Sequence, residues 1–207
     1  MTIKDRILLE SKLWVLEKLA LDKNHFQHLT RLHSANILWI GSSDSPVPVR
    51  ELTNTEPGEI IVHQNMANQI REDDISLMAT VEHAIEDAGI EYIIICGYSH
   101  CRGIQDVILD EDNTPFVRKW LGGLLELYEN NAEALWRMNL DEKKKRLCEL
   151  NIRQQIENLS QLDIIQRAWK RNNSPVLLGW YFDLHNGSIK EIFTMEAKTK
   201  LKQMASV

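Results

Sequence analysis

The pattern of apolar residues predicts an α/β protein with a mainly parallel sheet and a last strand running antiparallel. Three observations carry this. Short apolar runs that end in Gly or in Ser/Asp clusters recur along the chain, as buried strands leading into loops do. Segments with helical spacing separate them, and strand–helix–strand alternation builds parallel sheets. The last two runs are instead joined by His185-Asn186-Gly187, a hairpin-type turn.

In chain order, residues 5–21 place Leu9, Leu13, Leu16 and Ala20 at helical spacing with charges between them, an amphipathic helix. Residues 1–34 read as an N-terminal helical arm whose stripe needs another surface, and a partner subunit is one candidate. Residues 37–40 (Ile-Leu-Trp-Ile) are a buried strand stopped by Gly41, and residues 59–63 follow the turn signal Pro57-Gly58 as a second. Leu77, Val81, Ala84, Ile85 and Ala88 give a helix over 74–88, capped by Asp73 or Asp74. Residues 92–96 are continuously apolar, as expected of a parallel strand covered on both faces. Helices are predicted over 101–109, 116–129 and 142–170, and strands over 176–182 and 189–193.

At 207 residues and 43% hydrophobic content the chain can bury one substantial core, so residues 1–207 are read as a single domain. The formal charge of −6 is spread along the sequence. The densest basic cluster, Lys143-Lys144-Lys145-Arg146, follows Asp141-Glu142 and reads as a solvated helix face, so no nucleic-acid partner is expected. No apolar run approaches the ~20 residues of a membrane span. The first residues lack a signal-peptide apolar region, so no membrane partner is expected. The three cysteines, at 96, 101 and 148, make no disulfide framework, and a cytoplasmic location is the expectation.

Two segments carry the chemistry: Trp39-Ile40-Gly41-Ser42-Ser43-Asp44-Ser45-Pro46 and Ile95-Cys96-Gly97-Tyr98-Ser99-His100-Cys101-Arg102-Gly103. Each follows a strand, and open parallel sheets bind ligands beyond the carboxyl ends of their strands. The pattern alone places both in one cleft. Taken singly, Ser42 to Ser45 also fit loop and cap chemistry, Cys101 a buried helix start, and Cys96 and Cys148 the core. His63 reads as a hydrogen-bonded structural residue. His25, His28, His33, His83 and His185 show no ligand spacing.

These segments resemble the signature of the β-carbonic anhydrases, which reads Cys-x-Asp-x-Arg at the first place and His-x-x-Cys at the second. Further similar stretches include Val62-His63-Gln64-Asn65-Met66-Ala67-Asn68, Leu147-Cys148-Glu149-Leu150-Asn151, Ala168-Trp169-Lys170-Arg171 and Gly179-Trp180, so the resemblance spans nearly the whole chain and looks closest to the bacterial type. It implies a central four-stranded parallel sheet with an added antiparallel strand, helices on both sides, an arm that packs on a partner subunit, and a homodimer or tetramer. It also implies that the family's zinc is held by two Cys and one His.

Ser42 stands at the first Cys position, Pro46 at the Arg position and Tyr98 at the His position; Asp44 and Cys101 match. An alcohol is a hard, neutral donor, and a phenol ionises only near ~10. Two matching positions fall short of the three protein ligands of a catalytic zinc. Pro46 also removes the guanidinium that would hold Asp44, the family's catalytic Asp, off the metal. Arg102, at a family Gly position, is expected to pair with Asp44. The bicarbonate pocket of some bacterial members, a Trp, an Arg and a Tyr, corresponds to Trp39, Gln64 and Phe182, without the anion-binding groups; Tyr181 is expected to face the other way.

The expectation drawn from this is a pseudoenzyme that needs no cofactor, has lost CO2 hydration, and serves a structural, partner-binding or small-anion-binding role. One alternative is an active carbonic anhydrase whose zinc is held by a remodelled set of Asp44, His100 and Cys101. Another is an inactive subunit assembled with an active paralogue.

Overall fold

The computed structural model describes residues 1–30, 35–111 and 114–197. Its strands are β1 (Ile37–Ser42), β2 (Ile60–Asn65), β3 (Tyr92–Tyr98), β4 (Val176–Asp183) and β5 (Ser188–Met195). They form one sheet in the order β2-β1-β3-β4-β5. The first four run parallel to one another and β5 pairs antiparallel with β4. The α/β prediction with one antiparallel strand holds. Strands β1 and β3 each run two residues beyond the apolar stretch, so Ser42 and Tyr98 are strand ends rather than loop residues.

Alternation along the strands splits the core in two. Leu38, Ile40, Ile93 and Ile95 pack with Leu77, Val81, Ile156, Ile165 and Trp169. Trp39, Ile94 and Cys96 face the other way and pack with Ile104, Leu124, Leu147, Cys148 and Ile152. A parallel strand buried on both faces has to be apolar throughout, which is why residues 92–96 show no polar alternation.

The helices are α1 (Ile3–Leu21), α2 (His25–Leu29), α3 (Val49–Thr53), α4 (Ile75–Glu82), α5 (Arg102–Leu109), α6 (Pro115–Trp120), α7 (Gly122–Asn130), α8 (Ala132–Trp136), α9 (Leu140–Gln161) and α10 (Asp163–Asn172). Two predicted helices are broken. That over 116–129 turns at Leu121, and that over 142–170 breaks at Leu162, whose ψ of 134° is extended. Periodicity continues across both breaks, so it could not show them. The helix predicted over 74–88 ends as a wider turn at His83–Asp87. Asp74 does cap α4, accepting the Leu77 N–H at 3.1 Å.

No residue of α1 is buried. Ile7, Leu8 and Leu9 are consecutive and exposed, and at 3.6 residues per turn they spread over about 200° of the helix. The single stripe expected there is therefore too narrow a description. His33 and the end of the arm, with the rest of 31–34, lie outside the described residues. Of His63, expected to be hydrogen-bonded, the Nε2 is buried without a hydrogen-bond partner, 3.9 Å from an Asp74 carboxylate oxygen.

Candidate active site at the carboxyl ends of β1 and β3

Gly41 of β1 lies opposite Cys96 of β3, so both strands deliver their last residues to the same edge of the sheet. Ser42 donates its hydroxyl proton to Asp44 Oδ1 and accepts the Ala67 N–H at 3.0 Å. Its Oγ also lies 3.6 Å from Cys101 Sγ. From the second segment, the Arg102 N–H at the start of α5 donates to Asp44 Oδ2 at 2.7 Å, and Tyr98 donates its phenol to the Asp44 carbonyl at 3.0 Å. Asp44 thus ties together the two segments that the sequence singles out.

The Ala67 N–H reaches Ser42 because the turn Met66–Asn68 is bent against its own preference. Ala67 has φ 58° and Asn68 φ 47°, a region that costs an L-residue about 1–2 kcal/mol. A buried amide network holds it. Gln69 Nε2 donates to the Ala67 carbonyl at 2.9 Å and to Asn151 Oδ1 at 2.8 Å, Asn151 Nδ2 donates to the same Ala67 carbonyl at 3.0 Å, and Gln155 Oε1 accepts the Ile70 N–H at 2.8 Å. Neither Gln69 nor Gln155 stood out in the sequence, since lone amides carry no spacing signal.

Burial pushes the Cys101 thiol up to about 11, with the Asp44 charge adding to the effect. Burial, and then the hydrogen bond to Asp44, raise Tyr98 far beyond a phenol's ordinary value. Cys101 and Tyr98 therefore stay protonated at neutral pH, and Asp44, which is exposed, supplies the carboxylate.

Two sequence expectations fail here. The Arg102 guanidinium does not pair with Asp44: it reaches Asp106 and Glu111, and only its backbone N–H serves Asp44. His100 does not join Asp44 and Cys101. Its Nδ1 is 3.0 Å from Ser99 Oγ and its ring lies against His185, in the turn that follows the end of β3 at Tyr98.

As a cradle for zinc, Ser42, Asp44, Tyr98 and Cys101 offer one carboxylate, one thiol that keeps its proton, and two engaged hydroxyls. Among the described residues no group of three or more His, Cys, Asp or Glu could hold a metal ion. This donor set does not fit a zinc that wants three deprotonated nitrogen, sulfur or carboxylate ligands.

Trp39, Gln64 and Phe182 line one recess beside Ser42 and Tyr98, and the space left in it is about 20 Å³, room for a single water. The Gln64 amide is turned to the Ser42 carbonyl at 3.4 Å. Tyr181 faces α9, with Lys145 5.8 Å from its ring centre.

Residues 37–189 match the carbonic anhydrase family. The chain belongs to the β-class carbonic anhydrases. It is 30% identical over 189 residues to a carbonic anhydrase of Emericella nidulans, covering 91% of this chain and 82% of that protein. It is 32% identical over 178 residues to a carbonic anhydrase of Helicobacter pylori (strain J99), covering 81% and 80%. Its fold superposes on a tetrameric β-carbonic anhydrase of Sordaria macrospora with a TM-score of 0.87 at 28% identity, covering 92% of this chain and 98% of that one.

These relatives overturn the pseudoenzyme expectation. They bear the enzyme's name across most of this chain, and nothing in the resemblance marks a loss of activity. The physical reason is that the ligand argument reached too far. Losing a thiolate–imidazole set removes one way of making an attacking oxygen. It leaves the cleft, the Asp44 carboxylate and its access to water.

Proposed function

We propose that this β-carbonic anhydrase catalyses the reversible hydration of carbon dioxide to bicarbonate and a proton, at the cleft where β1 and β3 end. The observation that carries the reading is Asp44, whose solvent-facing carboxylate is held from both segments by Ser42 and the Arg102 N–H, while Tyr98 holds its backbone carbonyl. A carboxylate has about four lone-pair sites, so two remain for water after those two bonds. In the hydration direction, a water held by Asp44 attacks the carbon of CO2. One C=O π pair moves onto oxygen, and the water's proton passes to the carboxylate and then to solvent. Ser42 and the Arg102 N–H fix the carboxylate, and the protonated Tyr98 and Cys101 leave it as the base of the set.

General-base assistance of this kind contributes about 10²–10⁴-fold. Stopped-flow CO2 hydration should show acceleration in that range for protein stripped of metal by a chelator, and Asp44→Asn should abolish it. Proton release at the uncatalysed rate, with or without one equivalent of added zinc, would refute the reading.

We further propose a homodimer or tetramer, supported by the exposed apolar surface of α1 and by the tetrameric Sordaria macrospora neighbour. Among the described residues no helix is long and apolar enough to cross a membrane. The three free, buried cysteines suit a reducing compartment, which supports a cytoplasmic location.

A further inference from the structure

Away from the cleft, the strand end of β3 and the turn after β4 bring together two histidines that the chain keeps far apart. The rings of His100 and His185 have their centres 4.9 Å apart with their planes inclined at 45°. Both residues are exposed.

Each ring has its Nδ1 already committed. His185 Nδ1 lies 3.1 Å from Asp183 Oδ1, which also accepts the His185 backbone N–H at 3.0 Å, while Asn186 Nδ2 reaches Oδ2 at 3.4 Å. A carboxylate only accepts, so the imidazole proton sits on Nδ1 and the Nε2 lone pair is bare. His100 Nδ1 lies 3.0 Å from Ser99 Oγ. That hydroxyl accepts the Leu184 N–H at 3.1 Å and keeps a second lone pair for another donor. In its Nδ1–H tautomer His100 donates to that oxygen and, like His185, presents a bare Nε2.

Metal-binding histidines characteristically donate their second ring nitrogen to a carboxylate or another acceptor, which fixes tautomer and orientation. Here a carboxylate sets His185 in that way, and a hydroxyl stands ready to accept from the Nδ1 of the neighbouring His100. We propose that His100 and His185 form a two-imidazole clamp for a divalent transition-metal ion, with water in the remaining positions. Two protein ligands make it an exchangeable surface site. It is separate from the Asp44 cleft and independent of the proposed hydration reaction.

Copper(II) is the probe, because nitrogen sites bind it most tightly among the divalent first-row ions. Titrated into the full-length protein stripped of metal, it should fill one saturable site per chain whose electron paramagnetic resonance spectrum shows two imidazole nitrogens. His100→Ala and His185→Ala should each remove one nitrogen and weaken binding at least about tenfold. Asp183→Asn and Ser99→Ala touch only the other ring nitrogens. They should keep both nitrogens in the spectrum and weaken binding about 10–100-fold. Asp44→Asn and Cys101→Ser should leave the copper site unchanged, which separates this proposal from the hydration site. The double variant His100→Ala/His185→Ala serves as the blank for the remaining histidines. Equal copper binding by that blank overturns the clamp, as does a spectrum with a single imidazole nitrogen. Both histidines are exposed, so an unchanged urea unfolding curve certifies each variant as folded.

Discussion

Ser42 has one hydroxyl and three neighbours that use it: the Asp44 carboxylate, the Ala67 N–H and the Cys101 sulfur. Ser42→Ala leaves the buried Ala67 N–H without an acceptor, at a cost of about 1–3 kcal/mol. In a chain of this size each kcal/mol lowers the melting temperature by about 2–4 °C, so a fall of several degrees is expected by differential scanning calorimetry. An unchanged melting temperature would place the N–H elsewhere. The thiols give a second prediction. Cys101 is raised to about 11 and Cys96 to about 12, mainly by burial, and Cys148 is raised as well. In the unfolded chain they titrate near their ordinary value of 9.0. Between about pH 9 and pH 11 the folded state therefore binds more protons than the unfolded one, and stability falls as pH rises. The urea midpoint should drop between pH 8 and pH 10, with a smaller drop in Cys101→Ala. All three thiols should resist a disulfide reagent until the protein is unfolded.

At the scale of elements, the site depends on how β3 and α9 meet. A Cβ on Gly97 would lie 2.6 Å from Cys148 Sγ and 3.0 Å from Ile152 Cδ1, so only glycine lets the strand lie that close to the helix. Gly97→Ala should cost about 1–3 kcal/mol through overpacking, and adding Cys148→Ala should return part of it. Strict additivity of the two changes in urea unfolding would show that they do not touch. The same helix carries Asn151, whose amide holds both the Ala67 carbonyl and Gln69. Asn151→Leu removes one of the two donors to the Ala67 carbonyl and the buried acceptor shared by the Gln69 and Gln155 amides. It is expected to cost about 3 kcal/mol and to reduce hydration activity, because the turn that serves Ser42 is released. Full activity in a stably folded Asn151→Leu protein would disconnect the turn from the site.

For the whole molecule, the exposed Ile7, Leu8, Leu9, Leu13, Trp14 and Leu16 of α1 are apolar surface in want of cover. If a second copy supplies it, analytical ultracentrifugation should give a mass of two or four times 24.0 kDa, and Leu9→Glu with Leu13→Glu should lower it. A 24.0 kDa species in the unaltered protein would remove the proposal. The strand pattern, the hairpin turn at Asn186-Gly187 and the placing of Ser42, Asp44, Tyr98 and Cys101 at one sheet edge were all legible in the sequence. Periodicity of burial and the position of turn residues are local properties. The helix breaks at Leu121 and Leu162 were not legible, because a change of direction leaves the apolar spacing intact. Nor were the partners of Arg102 and His100, which are chosen among side chains far apart in sequence and near in space. By itself the sequence determined the fold, the family and the edge of the sheet at which the candidate site lies. Only the tertiary structure decided that Asp44 is held by a serine, a backbone N–H and a tyrosine, and that His100 turns away to meet His185. Those outcomes depend on distances and directions between elements, and a linear order of residues carries neither.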